Sequence, residues 1–150
     1  QLNIKDGKNF KKSETPSFNK KANYKAEWTY YNHENHPEYL GTIKEGQKNL
    51  LNVMNKIYFM LKKNNIKMTI AVYPWPQQLK HDKVNSKHAV MWKEFCEKRC
   101  NNFINYFPLF FKEKEENSFL KVYKKYYFWN DVHFNKVGNK IIAKKLIEKF

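Results

Sequence analysis

The residue types best suited to chemistry lie near the C-terminus, in the stretch "WNDVHFNKVGNKIIA", residues 129–143. Asp131 and His133 stand two apart, just before a helical pattern. In acyl-transfer chemistry an imidazole takes a proton from a nucleophile on one nitrogen. Its other nitrogen donates to a carboxylate, which fixes the tautomer and stabilises the imidazolium. A tight turn lets a carboxylate at Asp131 reach the ring of His133. Tyr127, Phe128, Trp129 and Phe134 are expected to shield the pair from water. A lone Asp-x-His also occurs in many surface loops, so the competing reading is a capped helix with a histidine packed beside it.

The elements that must position this pair can be read from periodicity. Over 42–64, Ile43, Leu50, Leu51, Met54, Ile57 and Leu61 recur at helical spacings, and "KNN" closes the helix. The run "IKMTIAVYP", 66–74, is short, apolar and partly β-branched, as in a buried strand of a parallel sheet. Two prolines in "YPWPQQL" end it. The loop after a strand's carboxyl end faces the ligand crevice of an open α/β sheet. Tyr73, Trp75 and Gln77 are therefore substrate-binding candidates, with a rigid Pro-Trp-Pro corner as the plain alternative.

Residues 86–107 read as a second long helix, with Ser86 as N-cap and Val90, Phe95, Cys96, Phe103 and Ile104 on its apolar face. The stretch 118–128 fits neither a helix nor a strand template, and "KEKEEN" before it reads as a turn. A final helix is expected over 136–149, capped by Asn135, with Ile141, Ile142, Leu146 and Phe150 inward. Residues 1–27 are polar and rich in Lys and Asn, an extended or poorly ordered segment. The folded domain is placed at 28–150.

Composition narrows the classes. The chain has 150 residues, 41% of them hydrophobic, enough for one core. No apolar run approaches the roughly 20 residues of a membrane span, and no signal peptide is visible. The net charge of +15 suggests an anionic partner, but Arg99 is the only arginine among 29 basic residues. Phosphate recognition favours Arg for its bidentate fork, so a lysine-rich surface without specific nucleic-acid binding is the better reading. His33, Glu34, His36 and Glu38 are interrupted by Pro37 and make a poor metal site. Cys96 and Cys100, at i and i+4 of the expected helix, read as two buried free thiols, since rigid helix geometry disfavours a disulfide. No metal and no cofactor are expected.

"DVHFNKVGNKIIA" resembles the last motif block of the SGNH/GDSL hydrolases, in which an Asp and a His precede the C-terminal helix and a Gly lies in its first turn. "TIAVYPWPQQL", "SKHAVMWKEFC" and "NNFINYFPLFF" are similar to a bacterial SGNH-like subgroup. The resemblance covers about residues 42–150 and extends weakly from Trp28. It implies a three-layer α/β/α flavodoxin-like fold and ester hydrolysis or O-acyl transfer on an acylated carbohydrate or a small ester. Asp131 would be the orienting carboxylate and His133 the general base, in an extracytoplasmic setting.

Two departures matter. The common family spacing is D-x-x-H, which would put Asn130 in the acidic position, while this chain has D-x-H. The nucleophile block is missing as well. Ser13, Ser17, Ser86 and Ser118 are the only serines, and none follows Gly-Asp. The family's oxyanion-hole Gly and its G-x-N Asn are not recognisable either. The expectation is therefore the C-terminal part of a longer hydrolase, with little catalysis from the dyad alone. The alternative is a non-catalytic basic module that binds acidic glycan or nucleic acid.

Overall fold

A computed structural model describes residues 43–150. The segment expected at 1–27, the stretch 28–42 with its His/Glu cluster, and Ser13 and Ser17 lie outside the described residues. The first helix, α1, is Ile43–Lys63. Its end follows from two asparagines. Asn65 takes φ 56°, a left-handed conformation that Asn tolerates. Ile66 N–H then reaches Leu61 O at 2.9 Å and Asn65 N–H reaches Lys62 O at 3.1 Å, the paired bonds of a Schellman turn. That turn sends the chain straight into strand β1, Thr69–Val72.

Pro74 and Pro76 stop β1, and Pro76 opens the short helix α2, Pro76–His81, where a missing N–H costs nothing. Helix α3, Lys87–Cys96, is capped by Ser86, whose Oγ accepts from His88 N–H at 3.3 Å. The expected long helix over 86–107 is not continuous. Its second part is strand β2, Asn102–Asn105, paired in parallel with β1 in the register Ile70↔Phe103 and Val72↔Asn105. Pairing with an existing strand outweighs the helical spacing of this short aromatic and β-branched run.

The break also overturns the free-thiol reading. Because α3 ends at Cys96, Cys100 sits in the following turn rather than on the same helix. The two sulfurs are joined in a disulfide across a Cα–Cα distance of 4.6 Å.

Helix α4, Phe107–Glu116, absorbs the stretch expected as a turn, and Pro108 lies in its first turn. The ambiguous stretch is helix α5, Phe119–Tyr126, capped by Ser118. Helix α6, Lys136–Ile147, ends the chain. The expectations for its inward face hold only in part. Ile141 and Ile142 pack against the core, whereas Leu146 and Phe150 are exposed, as is Val90 on α3.

The architecture is mixed α/β, a two-stranded parallel sheet among helices. Its core is unusually aromatic: Tyr106, Phe107, Phe110, Tyr123 and Tyr127 are fully buried. Phe110 stacks on Phe134 at 5.3 Å and meets Tyr126 edge-on at 5.4 Å. Tyr106 O–H donates to Ile142 O at 2.9 Å, tying the end of β2 to α6. No helix among the described residues is long and apolar enough to cross a membrane.

Candidate active site

The loop between α5 and α6 is built from beneath. Tyr127 and Phe134 form an isolated antiparallel bridge, and Phe128 N–H donates to His133 O at 3.0 Å, so residues 128–133 close as a small hairpin. Asn130 takes φ 63° at its tip, a conformation natural to Asn. Under the hairpin lies Tyr123. Its hydroxyl donates to Phe128 O at 2.7 Å and accepts from Asp131 N–H at 3.0 Å. Burial raises its pKa, so the hydroxyl stays protonated and available as a donor.

The exit of the loop is fixed as firmly. Asn135 Oδ1 caps α6 through Val137 N–H at 2.9 Å and Gly138 N–H at 3.1 Å, while its Nδ2 donates to Lys125 O and Tyr127 O. Gly138 is the residue on which α6 closes against this loop. A Cβ there would strike Tyr126 O and come within 2.7 Å of the Phe134 ring.

This scaffold brings Asp131 and His133 together. His133 Nδ1 lies 2.7 Å from Asp131 Oδ1. The same carboxylate oxygen accepts from Val132 N–H at 2.6 Å and His133 N–H at 3.2 Å. The hydrogen bond from the His133 ring, followed by that from its backbone N–H, lowers the Asp131 pKa. A proton on Nδ1, donated to this carboxylate, leaves Nε2 of a neutral ring as the acceptor, the tautomer that proton abstraction needs.

The aromatic shield expected around the pair is absent. Tyr127 and Phe134 are buried below it and Phe128 is itself exposed. The His133 side chain is 78% exposed and that of Asp131 47%.

The sequence candidates after β1 divide. Tyr73 packs its ring 4.9 Å from that of Phe134, the buried residue next to His133. Tyr127 O–H donates to Pro74 O at 2.7 Å, binding the "YPWP" corner to the dyad loop. Trp75 is 46% exposed at the head of α2, where its backbone N–H donates to Gln78 Oε1 at 3.1 Å. It is held as a corner residue. Gln77 is half-buried. Its Oε1 is shielded from solvent and has no partner among the described residues, as is true of Trp129 Nε1 on the dyad loop.

Neither described serine serves as nucleophile in this arrangement. Ser86 is fully buried and caps α3. Ser118 caps α5 through Lys121 N–H, at the far end of that helix from the dyad loop, about 12 Å along its axis. No group of three or more His, Cys, Asp or Glu side chains suited to a metal occurs among the described residues.

Sequence reasoning missed Tyr123 as a support, and it placed Tyr127 around the pair as a shield where the structure puts it beneath. Their spacing of four residues in "YKKYYFW" was a usable signal, since it puts both rings on one side of the chain as the helix ends. Comparison with family models, curated proteins and solved structures finds no match for this chain.

Proposed function

We propose that this chain carries the acid–base half of an SGNH-type serine esterase or O-acyltransferase. His133 is the general base, Asp131 its orienting carboxylate, and Tyr73 lines the substrate side. The nucleophilic serine comes from a segment outside residues 43–150. The full domain is, on this reading, a three-layer flavodoxin-like sandwich. The single observation that carries the proposal is the 2.7 Å bond from His133 Nδ1 to Asp131, made on a loop whose every turn is pinned while the rest of the ring stands in solvent. Such a ring is presented to a reacting group rather than packed away. The substrate is an acylated carbohydrate or small ester. A setting outside the cytoplasm fits the disulfide. No cofactor takes part.

The test is hydrolysis of p-nitrophenyl acetate by the longest natural polypeptide that contains these residues. His133→Ala should lower kcat at least about 10³-fold, and Asp131→Asn should approach the same loss through the wrong tautomer. Equal activity in all three proteins would end the esterase reading. A second reading, a basic module for acidic glycan, is favoured by the +15 charge. It requires heparin binding that weakens steeply with salt and is indifferent to His133→Ala.

A further inference from the structure

Phe128 is the aromatic residue of the dyad hairpin whose side chain the core does not use. Tyr127 and Phe134 meet at 4.7 Å, Phe134 also stacks on Phe110 at 5.3 Å, and Trp129 packs on Tyr123 at 5.6 Å. The Phe128 ring meets no other ring among the described residues and is 55% exposed. A single exposed apolar side chain needs no explanation by itself. Its place on the hairpin supplies one.

The backbone fixes what stands beside it. Tyr127 and Phe134 are the antiparallel bridge pair, and two hydrogen bonds flank them: Asn135 N–H to Tyr126 O at 2.9 Å and Phe128 N–H to His133 O at 3.0 Å. Phe128 and His133 are therefore the next pair along the same ladder. Successive side chains of an extended pair alternate between faces. Tyr127 and Phe134 point into the core, so Phe128 and His133 share the outer face, where both are exposed. Directly opposed residues carry their Cβ atoms about 5 Å apart. Tyr123, whose hydroxyl donates to Phe128 O at 2.7 Å, holds this end of the pair from below. The apolar ring is thus a fixed neighbour of the imidazole.

The order of events at a catalytic imidazole says which part of an ester lies there. The serine oxygen attacks the acyl carbon while Nε2 takes the serine proton. The C–O bond to the alcohol then breaks, and Nε2 gives the proton to the departing oxygen. The alcohol half of the ester must therefore lie against His133, whereas the carbonyl oxygen faces the oxyanion donors. Phe128, beside His133, meets the alcohol and not the acyl group. The openness of the surface narrows the alcohol further. A hydrocarbon alcohol calls for an enclosed apolar pocket, and the Phe128 ring stands in water. A pyranose fits such a ring. The C–H groups of one sugar face lie on the negative face of the aromatic ring, and the hydroxyls stay hydrated around it.

We infer that Phe128 determines specificity for the alcohol half of the substrate, by stacking on the C–H face of a pyranose whose acylated oxygen lies at His133 Nε2. The inference rests on the esterase reading and adds to it a residue and a side of the substrate. Binding energy from the sugar ring, which does not itself react, then holds the ester in line with the base.

The test uses the longest natural polypeptide that contains these residues. Two acetate esters are compared, a methyl glucopyranoside acetylated at its primary hydroxyl and ethyl acetate, which share the acyl group and differ in the alcohol. The readout is the ratio of kcat/KM for the glycoside to that for the ethyl ester. Phe128→Ala should lower this ratio at least about tenfold, chiefly through the KM of the glycoside. Phe128→Trp should restore it to within about threefold, and Phe128→Leu, apolar but not flat, should not. The Asp131 amide, held by the Tyr123 hydroxyl, should keep its hydrogen-exchange rate in Phe128→Ala, which shows the hairpin intact. An unchanged ratio, an equal loss on both esters included, would make Phe128 a packing residue and overturn the inference. Faster exchange at Asp131 would do the same. His133→Ala separates the two readings. If it abolishes hydrolysis while the ratio is indifferent to Phe128, this inference alone falls. If it changes the hydrolysis of neither ester, the esterase reading fails and takes this inference with it.

Discussion

His133 and His88 are each bonded to a near neighbour in sequence, and the two regions use a histidine in opposite ways. His133 sits on a hairpin pinned by buried tyrosines and meets Asp131 at its Nδ1, with most of the ring in water. His88 sits in the first turn of α3, where its Nε2 accepts from Trp92 Nε1 at 2.8 Å. Burial, partly opposed by the charge of Asp82, lowers its pKa to about 4. One ring keeps an ionised partner and an open edge. The other must stay neutral to hold its indole. Proximity of a histidine to a hydrogen-bonding neighbour therefore says little about function until the solvent on the remaining side is known.

The contrast can be broken most severely at Gly138. Gly138→Ala drives a methyl group into Tyr126 O and the Phe134 ring, and a loss of about 3 kcal/mol in urea unfolding is expected. The hydrogen-bonded Nδ1 proton of His133 should disappear from the NMR spectrum while the indole proton of Trp92 remains.

The next largest effect is in pH. The folded state holds His88 neutral down to about pH 4, while the unfolded chain protonates it near 6.5. The unfolded state then binds more protons, so stability falls as pH drops from about 6.5 to about 4, by an amount on the order of 2 kcal/mol. His88→Gln should flatten that part of the curve in urea melts taken across the range. A slope that survives the substitution would assign it to other groups.

Tyr123→Phe removes one hydroxyl beneath the dyad loop and should cost about 1.5 kcal/mol. Faster hydrogen exchange should be confined to residues near 128–133. At the small end, His133→Ala should change stability by no more than about 0.5 kcal/mol. A larger loss in thermal unfolding would mean that His133 is structural, which would erase the difference from His88.

Much of the skeleton was legible because it rests on local rules. The helix over 43–63, the strand after "NNIK", the caps at Ser86 and Asn135 and the closeness of Asp131 to His133 all follow from short-range spacing. The misreadings share a different cause. Residues 102–105 become a strand because β1 is beside them, a partner more than thirty residues away that no window contains. The disulfide then follows from the helix ending early. Leu146 and Phe150 were placed inward on a helical period that continues beyond the contact it serves. Nor does the aromatic character of 127–134 reveal which rings lie under the dyad and which lie outside it.

The Cys96–Cys100 link has a consequence for phase. It closes a loop only four residues long, and a loop so short removes little freedom from the unfolded chain. Its value lies in counting. The disulfide holds Cys100, two residues before β2, against the last residue of α3. A slip of one residue would exchange Ile104 and Tyr106, both buried, for Phe103 and Asn105. Tyr106 would then lose its bond to α6, and the floor of the dyad loop would shift with it. The cross-link acts as a ratchet tooth for the strand, holding the alternation of faces in step.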